Sequence, residues 1–556
     1  MNNKKRVLII GLDGASLDLI KPWAQAGYLP NLHALMKNGT YGKLLSVQPV
    51  VSAPAWATFM TGTNPGKHGV YDFVYRETSS YRLRPTTRQH ISEPSLWRIL
   101  SEQNRKVGVI NVPMTYPPEP VNGFIVSGLG TPNFKQFTYP PSLSDLLLKQ
   151  GYRVNRNMYY PDNDEKGFLE DTFDLIESIQ QAAKRLIQEF SWDFFMVVFR
   201  DTDDVSHGFW RYMDPTHPRY EPDSAFKNAI LKLYQKLDQY IGELIEIAGD
   251  DTNIIIMSDH GFGPLYKDVY LNEWLRQKGY LVTHEVKTQH KFLSRFGVTR
   301  SNVSRILRAT HLGKVEKWVK DFLGDKIEIL PRNKWPDFNE GIDWGKTRAF
   351  SFGYQGQIYI NLAEREPHGI VHSGKEYDQL IKELTQDLKG LIDPEDGLPV
   401  VDNIYYKNEL YSGSHIKNAP DLVLVMRGLK YITRLGFELG NHHGAIFGIS
   451  PVNESGGHKP NGILIASGPA FNPPKGEMPT AWLGDITPTV LHLLDCAIPT
   501  RIDGKVLHEW LNVNLAHIPV NFIDTQNNTS VSPSKELSKS EEHELMQRLS
   551  DLGYLN

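Results

Sequence analysis

Runs of consecutive apolar residues that stop abruptly at acidic or glycine-rich turns recur along this chain. The first covers residues 6–12 and ends in Asp13-Gly14. An unbroken apolar run of this length reads as a strand buried on both faces, as in a parallel sheet. Similar runs lie at 106–112, 124–127, 192–199, 253–258 and 463–466, and 42–47 reads as a strand that delivers the chain to Ser52. Between them the apolar positions fall at helical spacing over 30–38, 94–103, 141–150, 165–189, 223–248 and 485–494. This alternation predicts an α/β fold with a large, mostly parallel central sheet flanked by helices. Residues 71–81 read as irregular and aromatic.

The rhythm breaks between 271 and 439, a stretch too long to be a loop, which predicts an inserted α/β cap subdomain. Its first part, 285–335, is rich in Lys and Arg with apolar residues between, and reads as a cationic lid over an anionic substrate, as a surface helix meeting lipid headgroups, or as a solvated helical face with an apolar underside. Its second part carries strand-like runs at 357–362, 399–406 and 421–426 around a helix-like 376–391. The expected organisation is a core of 1–270 and 440–515, the cap at 271–439, and a polar tail at 516–556 ending in one amphipathic helix over 541–555.

Composition adds constraints. The 556 residues carry a formal net charge of -4, so no global field favours a nucleic-acid duplex or an anionic membrane. The single cysteine, Cys496, excludes an intramolecular disulfide. The basic start at 1–6 is followed by an apolar run too short for an export signal, and no run is long enough to span a membrane; a cytoplasmic protein is the expectation.

The candidate chemistry sits where the apolar runs end. Asp13 follows the first strand, where open α/β sheets bind ligands, although a turn or helix cap would use it equally well. The 192–199 strand ends in Arg200-Asp201-Thr202-Asp203-Asp204-Val205-Ser206-His207, and on a helix Asp203 and His207 would share one face. Acids clustered there need a positive neutraliser, for which a metal ion is the economical choice. The 253–258 strand ends in Asp259-His260-Gly261. His458 precedes the 463–466 strand in glycine-rich surroundings, with His442-His443 as the competing pair. Ser52 lies two residues before Pro54, a proline suited to a first helical turn, which places the serine just ahead of a helix N-terminus. There it is either a cap or a nucleophile facing free N–H groups.

Asp13, Ser52-x-Pro with its Thr-Gly-x-x-Pro-x-x-His-Gly continuation to His68-Gly69, Asp203-x-x-x-His207, Ser258-Asp259-His260-Gly261 and His458, in that order, resemble the alkaline phosphatase superfamily. Within it they are most similar to the type I phosphodiesterase/nucleotide pyrophosphatase branch, and the likeness spans most of residues 6–515. The resemblance implies two divalent metal ions, zinc or else manganese, at the carboxyl edge of the sheet. Asp13, Asp259 and His260 would hold one ion together with the Ser52 oxygen; Asp203, His207 and His458 would hold the other. It implies hydrolysis of phosphodiester or pyrophosphate bonds in a small-molecule substrate, nucleotides included, through a phosphoryl-serine. A phosphomonoesterase or phosphomutase on the same scaffold is the alternative, and a catalytically silent binding protein is the alternative of another class. The chain departs from the branch in two places. Ser52 stands where threonine is usual, and the branch's phosphate-binding asparagine after His-Gly has no counterpart in Gly69-Val70-Tyr71-Asp72-Phe73. Oligomeric state is not legible.

Overall fold

The computed structural model describes residues 5–77, 79–132, 136–157, 164–284, 341–434, 444–451, 454–471, 473–524 and 537–551. The basic segment 285–335 and the His442-His443 pair lie outside the described residues.

Nine strands form the central sheet: β1 (Arg6–Leu12), β2 (Thr40–Leu45), β3 (Val107–Val112), β4 (Gly123–Ser127), β5 (Thr138–Tyr139), β6 (Phe194–Phe199), β7 (Thr252–Met257), β8 (Asn461–Ser467) and β9 (Gly476–Trp482). Their spatial order is β9-β2-β8-β7-β1-β6-β3-β4-β5. The pairings of β1 with β6 and β7, of β3 with β4 and β6, and of β2 with β9 are parallel. Those of β8 with β2 and β7, and of β4 with β5, are antiparallel. The sheet is therefore mostly parallel, as the apolar runs predict.

Alternate side chains along each strand enter separate cores on the two faces. Val7 and Ile9 of β1 join Phe194 and Met196 of β6 and Ile255 of β7 in one core, with the helices Ser52–Thr61 and Ile486–Leu493 packed over them. Leu8 and Ile10 join Phe195, Val197, Ile254 and Ile256 in the other, beneath the amphipathic helices Glu165–Glu189 and Ala229–Ala248. Covering helices on both faces explain why these strands read as continuous apolar runs. The second of these helices begins at Ala229 rather than near 223: residues 222–228 form turns, with Asn228 as the residue before the helix.

A second sheet follows the path Ala349–Ser351, Gln357–Ile360, Leu422–Met426, Tyr431–Thr433, Lys267–Val269, Phe447–Ile449, with Val401–Tyr406 paired to Leu422–Met426. The stretch read as irregular holds a short hairpin, Val74–Arg76 with Leu83–Pro85. The C-terminal helix spans Lys539–Asp551 and rests against that hairpin, where Glu542 meets Arg82 at 2.9 Å.

Candidate active site

β1 lies between β6 and β7. Because the three strands are adjacent and parallel, the residues that follow them reach the same sheet edge: Asp13 after β1, the helix α2 (Asp201–Met213) after β6, and Asp259-His260 after β7. All of these acids except Asp204 are at most 1% exposed. Asp13 is not a cap; Ser16 caps the following helix by accepting from the Asp18 N–H.

Ser52 is the first residue of its helix, α1 (Ser52–Thr61), not the residue ahead of it, and the cap position belongs to extended Val51. Its hydroxyl therefore does no capping. Ser52 Oγ stands 3.0 Å from His260 Nε2. Of the residues that follow it in the first turn, Pro54 has no N–H and Ala55 donates its own to the Val51 carbonyl, which leaves that of Ala53. One turn on, Trp56 donates its indole N–H to Asp13 Oδ2 at 3.0 Å and so ties the serine's helix to the first acid. His68, from the His-Gly continuation, is not in the cluster. Its Nδ1 accepts from the Val70 N–H and its Nε2 meets Thr58 Oγ1 at 2.9 Å, and burial lowers its pKa to about 3, so it is a neutral brace.

Three histidines close the site. His207 sits one turn after Asp203 on α2, with Nε2 3.4 Å from Asp203 Oδ1. His458 comes from a two-stranded hairpin, Gly261–Pro264 with Gly456–Lys459, in which it pairs with Phe262. The hairpin brings its ring onto that of His260, centroids 3.7 Å apart. Each histidine has Nδ1 on a backbone carbonyl: His207 on Gly456 at 2.9 Å, His260 on Gly261 at 3.0 Å and His458 on Val50 at 2.8 Å. A carbonyl only accepts, so Nδ1 carries a proton in all three, and Nε2 is the nitrogen that presents a lone pair inward when the ring is neutral. His207 Nε2 and His458 Nε2 are 3.1 Å apart, and His458 Nε2 is 3.1 Å from Asp203 Oδ1. His260 Nε2 lies 3.3 Å from Asp259 Oδ2, 3.6 Å from Asp13 Oδ1 and 3.9 Å from Asp203 Oδ1. All seven residues singled out in the sequence are thus brought together.

The cluster is strained electrostatically as it stands. Burial, reinforced by Asp259 and Asp203, holds Asp13 well above the usual carboxylate range, and burial with Asp203 nearby pushes Asp259 up to about 7. Burial depresses His260, aided by His458, whereas at His207 burial is outweighed by Asp203 and the pKa rises to about 9. Asp203 is held low despite burial, by its two histidine partners. Asp13 Oδ1 and Asp259 Oδ2 accept no hydrogen bond. Buried acceptors with no donor, facing converging imidazole lone pairs, have the chemistry of a divalent-cation site. Two groups of potential ligands meet that description, Asp13 with Asp259 and His260, and Asp203 with His260 and His458, all within 4.8 Å within each group.

The other acids after β6 have a different neutraliser. Arg156, buried, bonds Asp201 Oδ1 at 2.5 Å and Asp204 Oδ2 at 2.7 Å, and Arg200 bonds Asp204 Oδ1 at 2.7 Å. Only Asp203 of the run is directed to the histidines. Arg156 was not legible in the sequence, because nothing in its neighbourhood marks it as the partner of residues 45 and 48 positions away.

The type I phosphodiesterase/nucleotide pyrophosphatase model matches residues 7–444. The chain belongs to that family. Among solved structures, phosphonoacetate hydrolase from Sinorhizobium meliloti 1021, in complex with phosphonoformate, superposes with a TM-score of 0.54 at 14% identity, over 89% of this chain and 96% of that one. Human ectonucleotide pyrophosphatase/phosphodiesterase 5 gives 0.49 at 13% identity, over 91% and 100%. No curated protein matches the chain. As a member of this phosphodiesterase family the protein is a phosphoric ester hydrolase, with the alkaline phosphatase-like fold. No described helix is long and apolar enough to cross a membrane.

Against the family's pattern, Asp72 is the residue that needed explaining. It is buried, which pushes its pKa up to about 7 although the backbone N–H groups of Phe73 and Tyr354 pull it down, and its Oδ1 accepts from the Phe73 N–H. It lines a cavity of about 430 Å³ between the Val74–Arg76 hairpin and the second sheet, walled also by Tyr75, Arg76, His90, Phe352 and Tyr359.

Proposed function

We propose that this phosphodiesterase-family protein hydrolyses phosphodiester or pyrophosphate bonds with Ser52 as nucleophile and a phosphoryl-serine as intermediate. The observation that carries the reading is Ser52 Oγ at the helix start, freed from capping and set against His260 within the buried Asp/His cluster. Asp13, Asp259 and His260 with Ser52 would hold one divalent ion, and Asp203, His207 and His458 the other, zinc before manganese on the strength of the imidazoles. Such ions lower the pKa of a coordinated hydroxyl and stabilise charge on attacking and leaving oxygens.

The protein's own groups supply the rest. Ser52 Oγ gives up its proton to solvent and forms the bond to phosphorus as the bond to the leaving oxygen breaks, and that oxygen departs with the electron pair and takes a proton from water. Position at the start of α1 sets the transferred group at the positive end of the helix dipole, with the Ala53 N–H as a donor to a phosphoryl oxygen. Water then attacks phosphorus, the P–Oγ bond breaks, and Ser52 recovers its proton. Two displacements predict retention at phosphorus. The second sheet, tied to Val50 just ahead of Ser52 through Gln355, acts as a cap over the substrate. In its protonated form, which its raised pKa makes accessible near neutral pH, Asp72 carries no charge to repel a phosphate.

The test is hydrolysis of bis(p-nitrophenyl) phosphate beside p-nitrophenyl phosphate by zinc-loaded protein, with Ser52→Ala as control. Diester preference and a loss of about 10³-fold or more in the variant are expected. Monoester preference, or undiminished turnover by Ser52→Ala, would overturn the reading.

A further inference from the structure

Val50, two residues before Ser52, has both of its backbone groups engaged by one side chain from the second sheet. Its N–H donates to Gln355 Oε1 at 2.6 Å, and Gln355 Nε2 donates to its carbonyl at 2.8 Å. The same carbonyl receives His458 Nδ1–H at 2.8 Å. Gln355 is 4% exposed and Val50 fully buried, so water does not replace these bonds.

The loop that presents Gln355 is held tightly. It joins Ala349–Ser351 to Gln357–Ile360. Thr433 Oγ1 accepts from the Gly356 N–H at 2.9 Å and donates to the Gly353 carbonyl at 2.8 Å, bracketing the residue on both sides. Gly356 adopts φ +64°, and a Cβ there would stand 2.6 Å from Leu424 Cβ, so the turn demands glycine for both conformation and space.

We infer that Gln355 is a positioning residue: it fixes the Val50 peptide so that one carbonyl orients His458 while the next residues present Ser52. This couples the second sheet to the nucleophile and to a metal-ligand histidine. The inference rests on the assignment of Ser52 and His458 given under Proposed function. The His458 part follows from tautomer control. An imidazole whose Nδ1–H has a fixed acceptor presents Nε2 in a fixed direction, and loss of such a partner costs 10- to 100-fold in metal affinity or activity. A glutamine serves here because it offers a donor and an acceptor to the two peptide groups that flank one residue; glutamate keeps the acceptor but sets an oxygen against the Val50 carbonyl.

The experiment compares the full-length wild type, Gln355→Glu and Asn361→Asp. Asn361 is a matched control, a buried amide next to the second sheet whose Nδ2 serves the Trp344, Thr347 and His368 carbonyls and whose Oδ1 accepts from Tyr81, none of them in the cluster. Zinc affinity is read by competition with a chromophoric chelator, kcat and KM on bis(p-nitrophenyl) phosphate, and Tm by scanning. Gln355→Glu is expected to weaken zinc binding about 10-fold or more and to lower kcat similarly, with KM within about two-fold. Asn361→Asp is expected to lower Tm with zinc affinity and kcat unchanged. Equal Tm losses with zinc affinity and kcat unchanged in both would overturn the inference. If Gln355→Glu does not fold, Thr433→Val decides: weaker zinc binding supports the inference, and unchanged zinc binding at lowered Tm overturns it. The zinc arm stands apart from the reaction assigned, so a wild type that cleaves no phosphate ester would sink that reading without deciding this one.

Discussion

Asp72→Asn should stabilise the protein at alkaline pH and not at acid pH. The native carboxyl has its pKa raised by burial to about 7, from an ordinary 3.8. Between those values the native state binds more protons than the unfolded chain, so wild-type stability falls as pH rises through that window, and the full penalty is present above it. At about 1.4 kcal/mol per unit, the penalty at pH 8 has a ceiling of about 4 kcal/mol, of which about 3 kcal/mol accrues between pH 5 and 7. Asparagine removes the charge and keeps the shape. It also has a local partner, for a Cβ at Gly353 would stand 1.3 Å from Gln357 Oε1 and 3.1 Å from Asp72 Oδ2, so these two oxygens flank the same gap. Gln357 Oε1 meets no donor, and an Asn Nδ2 turned toward it would supply one. The assay is urea unfolding of wild type and Asp72→Asn at pH 5, 6, 7 and 8, followed by tryptophan fluorescence. The stability difference should grow in favour of the variant by about 3 kcal/mol across the series. A difference that stays flat with pH would refute the claim that Asp72 is held neutral by burial, whatever its absolute size.

Two further outcomes follow from the site. Arg156→Met keeps the length of the chain but leaves Asp201 buried without its cation; a loss of about 3–5 kcal/mol at pH 8 is expected. Burial already raises Asp201 to about 6 against the pull of Arg156, so the loss should shrink at pH 5, where Asp201 is protonated in the variant; urea midpoints at both pH values check this. Trp56→Phe deletes the donor to Asp13 Oδ2 while preserving most of the ring packing. A fall in kcat of about 10-fold with Tm nearly unchanged is expected by steady-state assay and thermal scanning, and an unchanged kcat would show that the indole does not orient Asp13.

The sheet was legible because burial on both faces forces long apolar runs, and the strands so marked, Arg6–Leu12, Phe194–Phe199 and Thr252–Met257, are the three central ones. Adjacency then followed from topology that the sequence does not write down, and adjacency is what brings Asp13, Asp203 and Asp259 together. Strands with no apolar run escaped notice. The hairpin Gly261–Pro264 with Gly456–Lys459 is four residues a side and half glycine, so it has no periodicity to read, yet it is what lays His458 on His260. Gly476–Trp482 alternates buried and exposed positions only weakly, as an edge strand does, and passed for loop.

The acids after β6 show why the chemistry was harder to read than the fold. A run of acids at a strand end says that positive charge must be near, but not which charge serves which acid. On α2 successive residues point about 100° apart, so Asp203 faces the histidines while Asp201 and Asp204 turn to Arg156. A cation for the whole run would have been the wrong division. Two of its acids are balanced by arginine and are structural, and the proposed divalent ions concern only the one whose neighbours are imidazoles and other carboxylates. The division makes the two kinds of site separable. Arginine is charged at any accessible pH, so chelation should leave the Arg156 pairs intact while it deprives Asp13, Asp203 and Asp259 of their counter-charge. Loss of metal is therefore expected to cost activity and local stability at the sheet edge without unfolding α2.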